Sequence, residues 1–179
     1  MLGKTHLAFG LGVASCGIYA INFLGKPQLL SSQDLILFYS AISIGALLPD
    51  IDEPQSLIGR KTLGISNLIK FFFGHRGFTH SLLFVVLLAI ALGALIYFKI
   101  LSLILAIGLV LGCILHLIGD MMTPSGVPLL MPFSLKNYHI LPRVLRFKTG
   151  GIFDYLIGLI SAGAFIYCNT KPLQKYFLI

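Results

Sequence analysis

The sequence predicts an all-α polytopic membrane protein, a transmembrane bundle of about five spans joined by interfacial amphipathic segments. Hydrophobic residues fill 57% of the 179 positions and charged residues only 11%, where a soluble domain carries roughly a quarter charged residues. Five stretches are long and apolar enough to cross a bilayer, at about 20 residues per crossing. The basic residues lie in the connections between those stretches, and nowhere alternate with base-stacking aromatics. The formal net charge of +7 therefore fits positive loops and attraction to anionic membrane lipids, and excludes nucleic acid as a partner. The length suits one integral membrane domain over residues 1–179.

The spans run approximately 5–24, 33–50, 78–98, 100–121 and 152–168, as helices, because an open strand edge finds no partner in lipid. Val13-Ala14-Ser15-Cys16 has the look of a lipoprotein cleavage box, but the apolar run continues to Leu24, so the first span reads as uncleaved. The third and fourth spans form one apolar block interrupted by Lys99, the expected tip of a tight hairpin. Cys16, Cys113 and Cys168 all fall inside apolar segments. An odd count in such places argues for buried small hydrophobes, not disulfides or thiolate ligands. Residues 54–74 and 123–150 mix basic with large apolar side chains, and read as segments lying on the membrane surface.

Five crossings place the N-terminus, 51–77 and 122–151 on one side. That side holds Lys4, Arg60, Lys61, Lys70, Arg76, Lys136, Arg143, Arg146 and Lys148, nine cations against Lys26, Lys99, Lys171 and Lys175 opposite. The bias makes it cytoplasmic. The same side collects all five histidines and every acid except Asp34. Positive loops explain the lysines; they do not explain the histidines and acids.

Those residues form four clusters. His116 and Asp120, four apart, stack on one helix face, and the row continues back through Gly112 and Gly108, where another backbone can approach. His6 heads a similar row of Gly10, Ala14 and Ile18, and Ile42 and Ala46 precede Asp50. Asp50 and Asp52 sit between Pro49 and Pro54, which end the helix and fix a turn. In His75-Arg76-Gly77-Phe78-Thr79-His80-Ser81, Gly77 allows a sharp turn and Thr79, or the turn itself, caps the next helix. Arg76 offers bidentate recognition of phosphate or carboxylate. Imidazoles and carboxylates converging at the bilayer edge make a metal site. Donors of this kind without thiolate suit zinc first, with manganese or iron as alternatives. Seven candidate ligands allow one ion or two, some of them standing behind the others.

Thr5-His6, Leu47-Leu48-Pro49-Asp50-Ile51-Asp52, Gly74-His75-Arg76-Gly77-Phe78-Thr79-His80-Ser81, His116 with Asp120, and Thr123-Pro124-Ser125-Gly126-Val127-Pro128-Leu129-Leu130 resemble the YdjM-like family over roughly residues 5–132. The resemblance implies a bacterial inner-membrane, metal-dependent hydrolase; at least one member of that family is under SOS-repressor (LexA) control. One departure stands out: Glu53-Pro54 replaces the family's usual His-Pro after Asp52, so Glu53 stays outside the expected ligand set.

The expectation is thus a hydrolase acting at the cytoplasmic leaflet on a phosphoester in an anionic lipid or lipid-linked substrate. His6, Asp50, Asp52, His75, His80, His116 and Asp120 hold metal. Asp50, Asp52, His75, Arg76, His80 and Asp120 form the catalytic set, and Arg76, Thr79, Ser81 and Thr123 contact substrate. His139, Arg143 and Arg146 are candidates for head-group contact. Two rival readings are a divalent-cation or proton transporter, against which the almost featureless far halves of the spans count, and a non-catalytic membrane protein stapled by a structural metal.

Overall fold

Serine hydroxyls decide where several of the membrane helices start. Ser31 accepts from the Asp34 amide at 3.1 Å, Ser81 from Phe84 at 3.1 Å and Ser102 from Leu105 at 3.4 Å, each satisfying a donor that the first helical turn leaves without a carbonyl. The computed structural model describes residues 1–24, 30–62, 64–73 and 77–177. It contains α1 (Gly3–Phe23), α2 (Ser32–Gly45), α3 (Ile65–Phe73), α4 (Leu82–Tyr97), α5 (Leu103–Met121) and α6 (Ile152–Phe177), with single 3-10 turns at Leu48–Asp52, Gly59–Lys61, Phe78–His80 and Arg143–Leu145. Among the described residues there is no strand, only an isolated bridge between Val127 and Tyr138.

The chain is a helical membrane bundle. Among the described residues four helical stretches are long and apolar enough to cross, Gly3–Phe23, Ser32–Asp52, Leu103–Met121 and Ile152–Thr170, and the 16-residue α4 is a shorter apolar helix. At 1.5 Å per residue α4 reaches about 24 Å, short of a hydrocarbon core of about 30 Å. Its start differs from the sequence expectation of residue 78. Phe78–His80 turns as a 3-10 helix and Ser81, not Thr79, provides the cap. Lys99 takes φ +59° at the tip between α4 and α5, as the hairpin reading requires. Of the surface segments, 65–73 forms the amphipathic α3, while 123–151 is irregular apart from one 3-10 turn.

Two seams hold the bundle, α1 against α6 and α2 against α5, with α4 lying on the outer side of α5. Both seams are lined where side chains are missing. A Cβ on Gly112 would stand 2.5 Å from the Ile42 carbonyl oxygen and 2.7 Å from the Ala46 nitrogen, and one on Gly12 would stand 2.5 Å from the Ser161 carbonyl. The backbones therefore touch at the small residues. Ile42 and Ala46 are fully buried in the seam between α2 and α5. A second cluster, Val85, Cys113, Leu117 and Val127, fills the space between α4, α5 and the chain after α5. All three cysteines are free thiols. Cys113 and Cys168 are buried as expected, but Cys16 is exposed, with its Sγ 3.7 Å from that of Cys168 on α6.

Because the seam tolerates no methyl group, Gly112→Ala should lower stability by roughly 1–3 kcal/mol through overpacking. Gly93→Ala, where an added Cβ meets nothing within 4 Å, should be neutral or slightly stabilising. Unfolding midpoints of the two variants in detergent check the contrast.

Candidate metal centre

Four separate parts of the chain deliver polar side chains to one end of the bundle. The first turn of α1 brings His6, and the Pro49 turn after α2 brings Asp50 and Asp52. The 3-10 turn before α4 brings His80, and the last two turns of α5 bring His116 and Asp120. His6, Asp52, His80, His116 and Asp120 are each 1% exposed or less. Asp50 is 18% exposed and forms the open side of the group.

At the centre, the Nε2 atoms of His80 and His116 face each other at 3.3 Å. The far sides of both rings are committed. His116 Nδ1 donates to the Ala46 carbonyl at 2.7 Å. His80 Nδ1 lies 3.4 Å from Asp52 Oδ2 and 3.2 Å from Thr79 Oγ1, and Thr79 itself donates to Asp52 Oδ2 at 2.9 Å. With protons on the Nδ1 atoms, the lone pairs on Nε2 converge, which is the tautomer that ligating histidines adopt when a backbone carbonyl or carboxylate holds the other nitrogen. Asp50 Oδ1 stands 3.7 Å from both Nε2 atoms, and Asp120 Oδ2 stands 3.8 Å from His80 and 4.0 Å from His116.

These donors fit a cation. Two nitrogens each about 2.0–2.1 Å from a tetrahedral ion stand roughly 3.3–3.4 Å apart, the separation found here. Burial opposes a charge on His80, but its hydrogen bonds to Asp50 and Asp52 outweigh that and push its pKa up to about 9. Positive charge is what this position demands, a proton where no metal is bound.

His6 extends the group. Its ring stacks on His116 with centroids 3.7 Å apart and planes 11° from parallel, and its Nε2 lies 3.2 Å from Asp120 Oδ1. Neither ring nitrogen of this buried side chain has a well-directed hydrogen-bond partner among the described residues, a costly state that a bound cation would relieve. Asp120 therefore presents Oδ1 to His6 and Oδ2 to the two central imidazoles; the Met1 amino group also contacts Oδ1. Two three-ligand sets result, His6–His116–Asp120 and Asp50–His80–His116. Both draw on His116, whose Nδ1 is taken, so its one free nitrogen serves a single ion.

The other expected site residues divide. Asp52 stands behind His80 and belongs to neither set. Ser81 caps α4 and donates to the Phe78 carbonyl at 2.7 Å, and Thr123 donates to the Asp120 carbonyl at 2.8 Å, closing the end of α5. Glu53 pairs with Lys70 at 2.9 Å near the surface. His139 Nε2 lies 3.2 Å from the Pro124 carbonyl, away from the cluster. His75 and Arg76 lie outside the described residues.

Sequence reasoning missed Asp154. This fully buried acid in the first turn of α6 accepts from the Gly150 amide at 2.7 Å and the Leu2 amide at 3.1 Å. Leu2 in turn accepts at its carbonyl from the Thr5 and His6 amides, both at 2.9 Å. Asp154 thus fixes the start of α1, and with it His6, against α6. The available signal was an acid one turn into a helix behind a glycine pair, too common to single out. Asp154→Ala strands two amides; it should cost about 1–3 kcal/mol, read as a lower unfolding midpoint.

The family model described as "YdjM inner membrane protein" matches residues 1–177. An uncharacterised Bacillus subtilis protein, YvsG, is 35% identical over 169 residues, covering 93% of this chain and 94% of its own length. The Escherichia coli inner membrane protein YdjM is 41% identical over 137 residues, covering 74% of this chain and 66% of the relative's length. No solved structure matches.

Proposed function

The chain belongs to the YdjM family of inner membrane proteins, and from that premise and the geometry of its polar cluster we propose that it is a metal-dependent hydrolase of a phosphoester in a lipid or lipid-linked substrate. The observation that carries this reading is the pair of inward-facing Nε2 atoms 3.3 Å apart, flanked by two carboxylates and open at Asp50.

His80, His116 and Asp50 would hold the ion, zinc in the first instance, with the fourth position left for water and with Asp120 and His6 beside it. The cation supplies Lewis acidity and lowers the pKa of water. The chain does the rest. Asp52 and the Ala46 carbonyl keep protons on the two Nδ1 atoms, so that Nε2 stays a donor of electrons. Asp50 turns Oδ1 to the imidazoles and has Oδ2 to take a proton from an incoming water. Arg76, four residues before His80 in the sequence, is assigned to the anionic group of the substrate. The cluster's place at the ends of membrane helices supports a lipid substrate. Nine cations on that side against four opposite support the cytoplasmic leaflet. A cation used only as a staple would be enclosed; the 18% exposure of Asp50 favours a working site.

Elemental analysis of protein purified in detergent tests the ligands. Wild type should retain a stoichiometric transition metal, and His80→Ala or His116→Ala should lose it. Asp52→Asn, which alters the carboxylate behind His80, should weaken metal affinity by about 10–100-fold. Occupancy should fall as the pH is lowered, because protons compete for the same nitrogens and carboxylates. Hydrolysis is read as phosphate or head-group release from vesicles of bacterial lipid extract, present in wild type and absent in Asp50→Asn. Full metal with no release from any lipid fraction would contradict the enzymatic reading.

A further inference from the structure

The 30 residues between α5 and α6, 122–151, carry four cations and no acid, and their apolar side chains are turned outward. Phe133 is 87% exposed, Leu135 77%, Val144 93% and Leu145 64%. Scattered exposed hydrophobics are ordinary, but a contiguous set beside one sign of charge marks an interaction surface. Lys136 sits at the first pair, with Nζ 6.0 Å from the centroid of the Tyr138 ring. Arg143, Arg146 and Lys148 surround the second pair in the chain.

The segment is not a loose loop. Val127 and Tyr138 exchange two backbone hydrogen bonds, at 3.2 and 2.8 Å, which close 128–137 into a finger. The Leu82 amide donates to the Leu129 carbonyl at 2.9 Å, and the Ile140 amide donates to the Met121 carbonyl at 3.1 Å. These bonds tie the finger to the first residue of α4 and the last residue of α5. Val127, packed with Val85, Cys113 and Leu117, pins its base to the bundle, and Phe147 in the second stretch is buried. The outward display of Phe133, Leu135, Val144 and Leu145 is therefore held by the fold.

We propose that this finger and the following stretch, 140–148, form a docking surface for anionic phospholipids, with the apolar tips below the phosphate level and the four cations at it. Three observations select a lipid surface over a protein partner. The segment leaves one membrane helix and enters another, so connectivity keeps it at the bilayer boundary. Its exposed apolar set continues onto α6 through Ile152, 72% exposed, and Phe153, 64% exposed, which belong to a membrane-spanning stretch. Its charge is purely positive, complementary to the anionic lipids of a cytoplasmic leaflet, while the aromatic and aliphatic tips match the boundary between head groups and acyl chains. The inference does not rest on hydrolysis: lipid contact is read directly, whether or not the site turns anything over.

The chain contains no tryptophan, so a single Phe133→Trp or Val144→Trp reports its own surroundings without background. Both positions are highly exposed, and two variants guard against loss of either one. Tyr97→Trp, at the opposite end of α4, is the reference. Each variant is reconstituted in phosphatidylcholine vesicles containing phosphatidylglycerol, with one or other lipid brominated on its acyl chains. The expected result is blue-shifted emission at both positions, quenched by brominated lipid and shielded from iodide. Brominated phosphatidylglycerol should quench more strongly than brominated phosphatidylcholine at equal mole fraction. That preference should vanish when Lys136, Arg143, Arg146 and Lys148 are all replaced by Gln. Emission typical of indole in water, quenched by iodide, would overturn the proposal. So would a blue shift without quenching by either brominated lipid, which would mean burial against protein, and equal quenching by the two lipids would remove its anionic part.

Discussion

Two imidazole nitrogens with converging lone pairs, 3.3 Å apart inside a helical bundle, are the constraint around which the rest of this structure is arranged. When each ring keeps a single proton on its far side, held by the Ala46 carbonyl in one case and by Asp52 with Thr79 in the other, neither can donate to the other. Two carboxylates close on the same point. Buried acids and bare lone pairs in a medium of low polarity are unfavourable unless positive charge joins them. A cation resolves the conflict, and the glycine seam is what allows it to arise. Only with Gly112 bare can the end of α2 come close enough for Ala46 to reach His116. Packing between α2 and α5 and the chemistry of the cluster are therefore one requirement, met by the same stripe of small residues.

The same economy governs the irregular backbone at that end. Turns at Leu48–Asp52 and Phe78–His80 are unusual next to a hydrocarbon layer, and are tolerable when their polar groups are satisfied within the protein. Here they are. The Ser56 hydroxyl donates to the Asp50 carbonyl at 2.8 Å, Thr79 links to Asp52, and Thr123 closes the end of α5. Asp154 does the equivalent work for α1, joining Leu2 to the Gly150 turn and so setting the position of His6. Loss of any of these bonds would reach the cluster through the backbone, without a ligand being touched.

Much of this was legible in the sequence because it follows from periodicity. A spacing of four put His116 and Asp120 on one face and extended that face to Gly112 and Gly108, and the structure shows that face against α2. Counting crossings put His6, Asp50, Asp52, His80 and Asp120 at one end, and the chain brings them together there. What spacing does not encode is which atom of a side chain faces inward. That distinction separates Asp50 and Asp120, at the centre, from Asp52, which stands behind His80. It also leaves Ser81 as the cap where Thr79 or the turn itself was expected, since both hydroxyls suit a helix start and contact with Asp52 draws Thr79 away. Asp154 escaped notice because its partners are backbone amides from residues 2 and 150, a pairing no local pattern announces.

X-ray absorption at the edge of whichever transition metal copurifies with the protein tests the central claim most directly. The geometry described here predicts a first shell of nitrogen and oxygen alone, at about 2.0–2.1 Å for zinc, with the outer-shell scattering of two or three imidazoles. His116→Ala should reduce that imidazole signal or abolish metal binding. A sulfur neighbour at about 2.3 Å, or a spectrum with no imidazole contribution, would mean that the metal is bound elsewhere and that these histidines and carboxylates do not form its site.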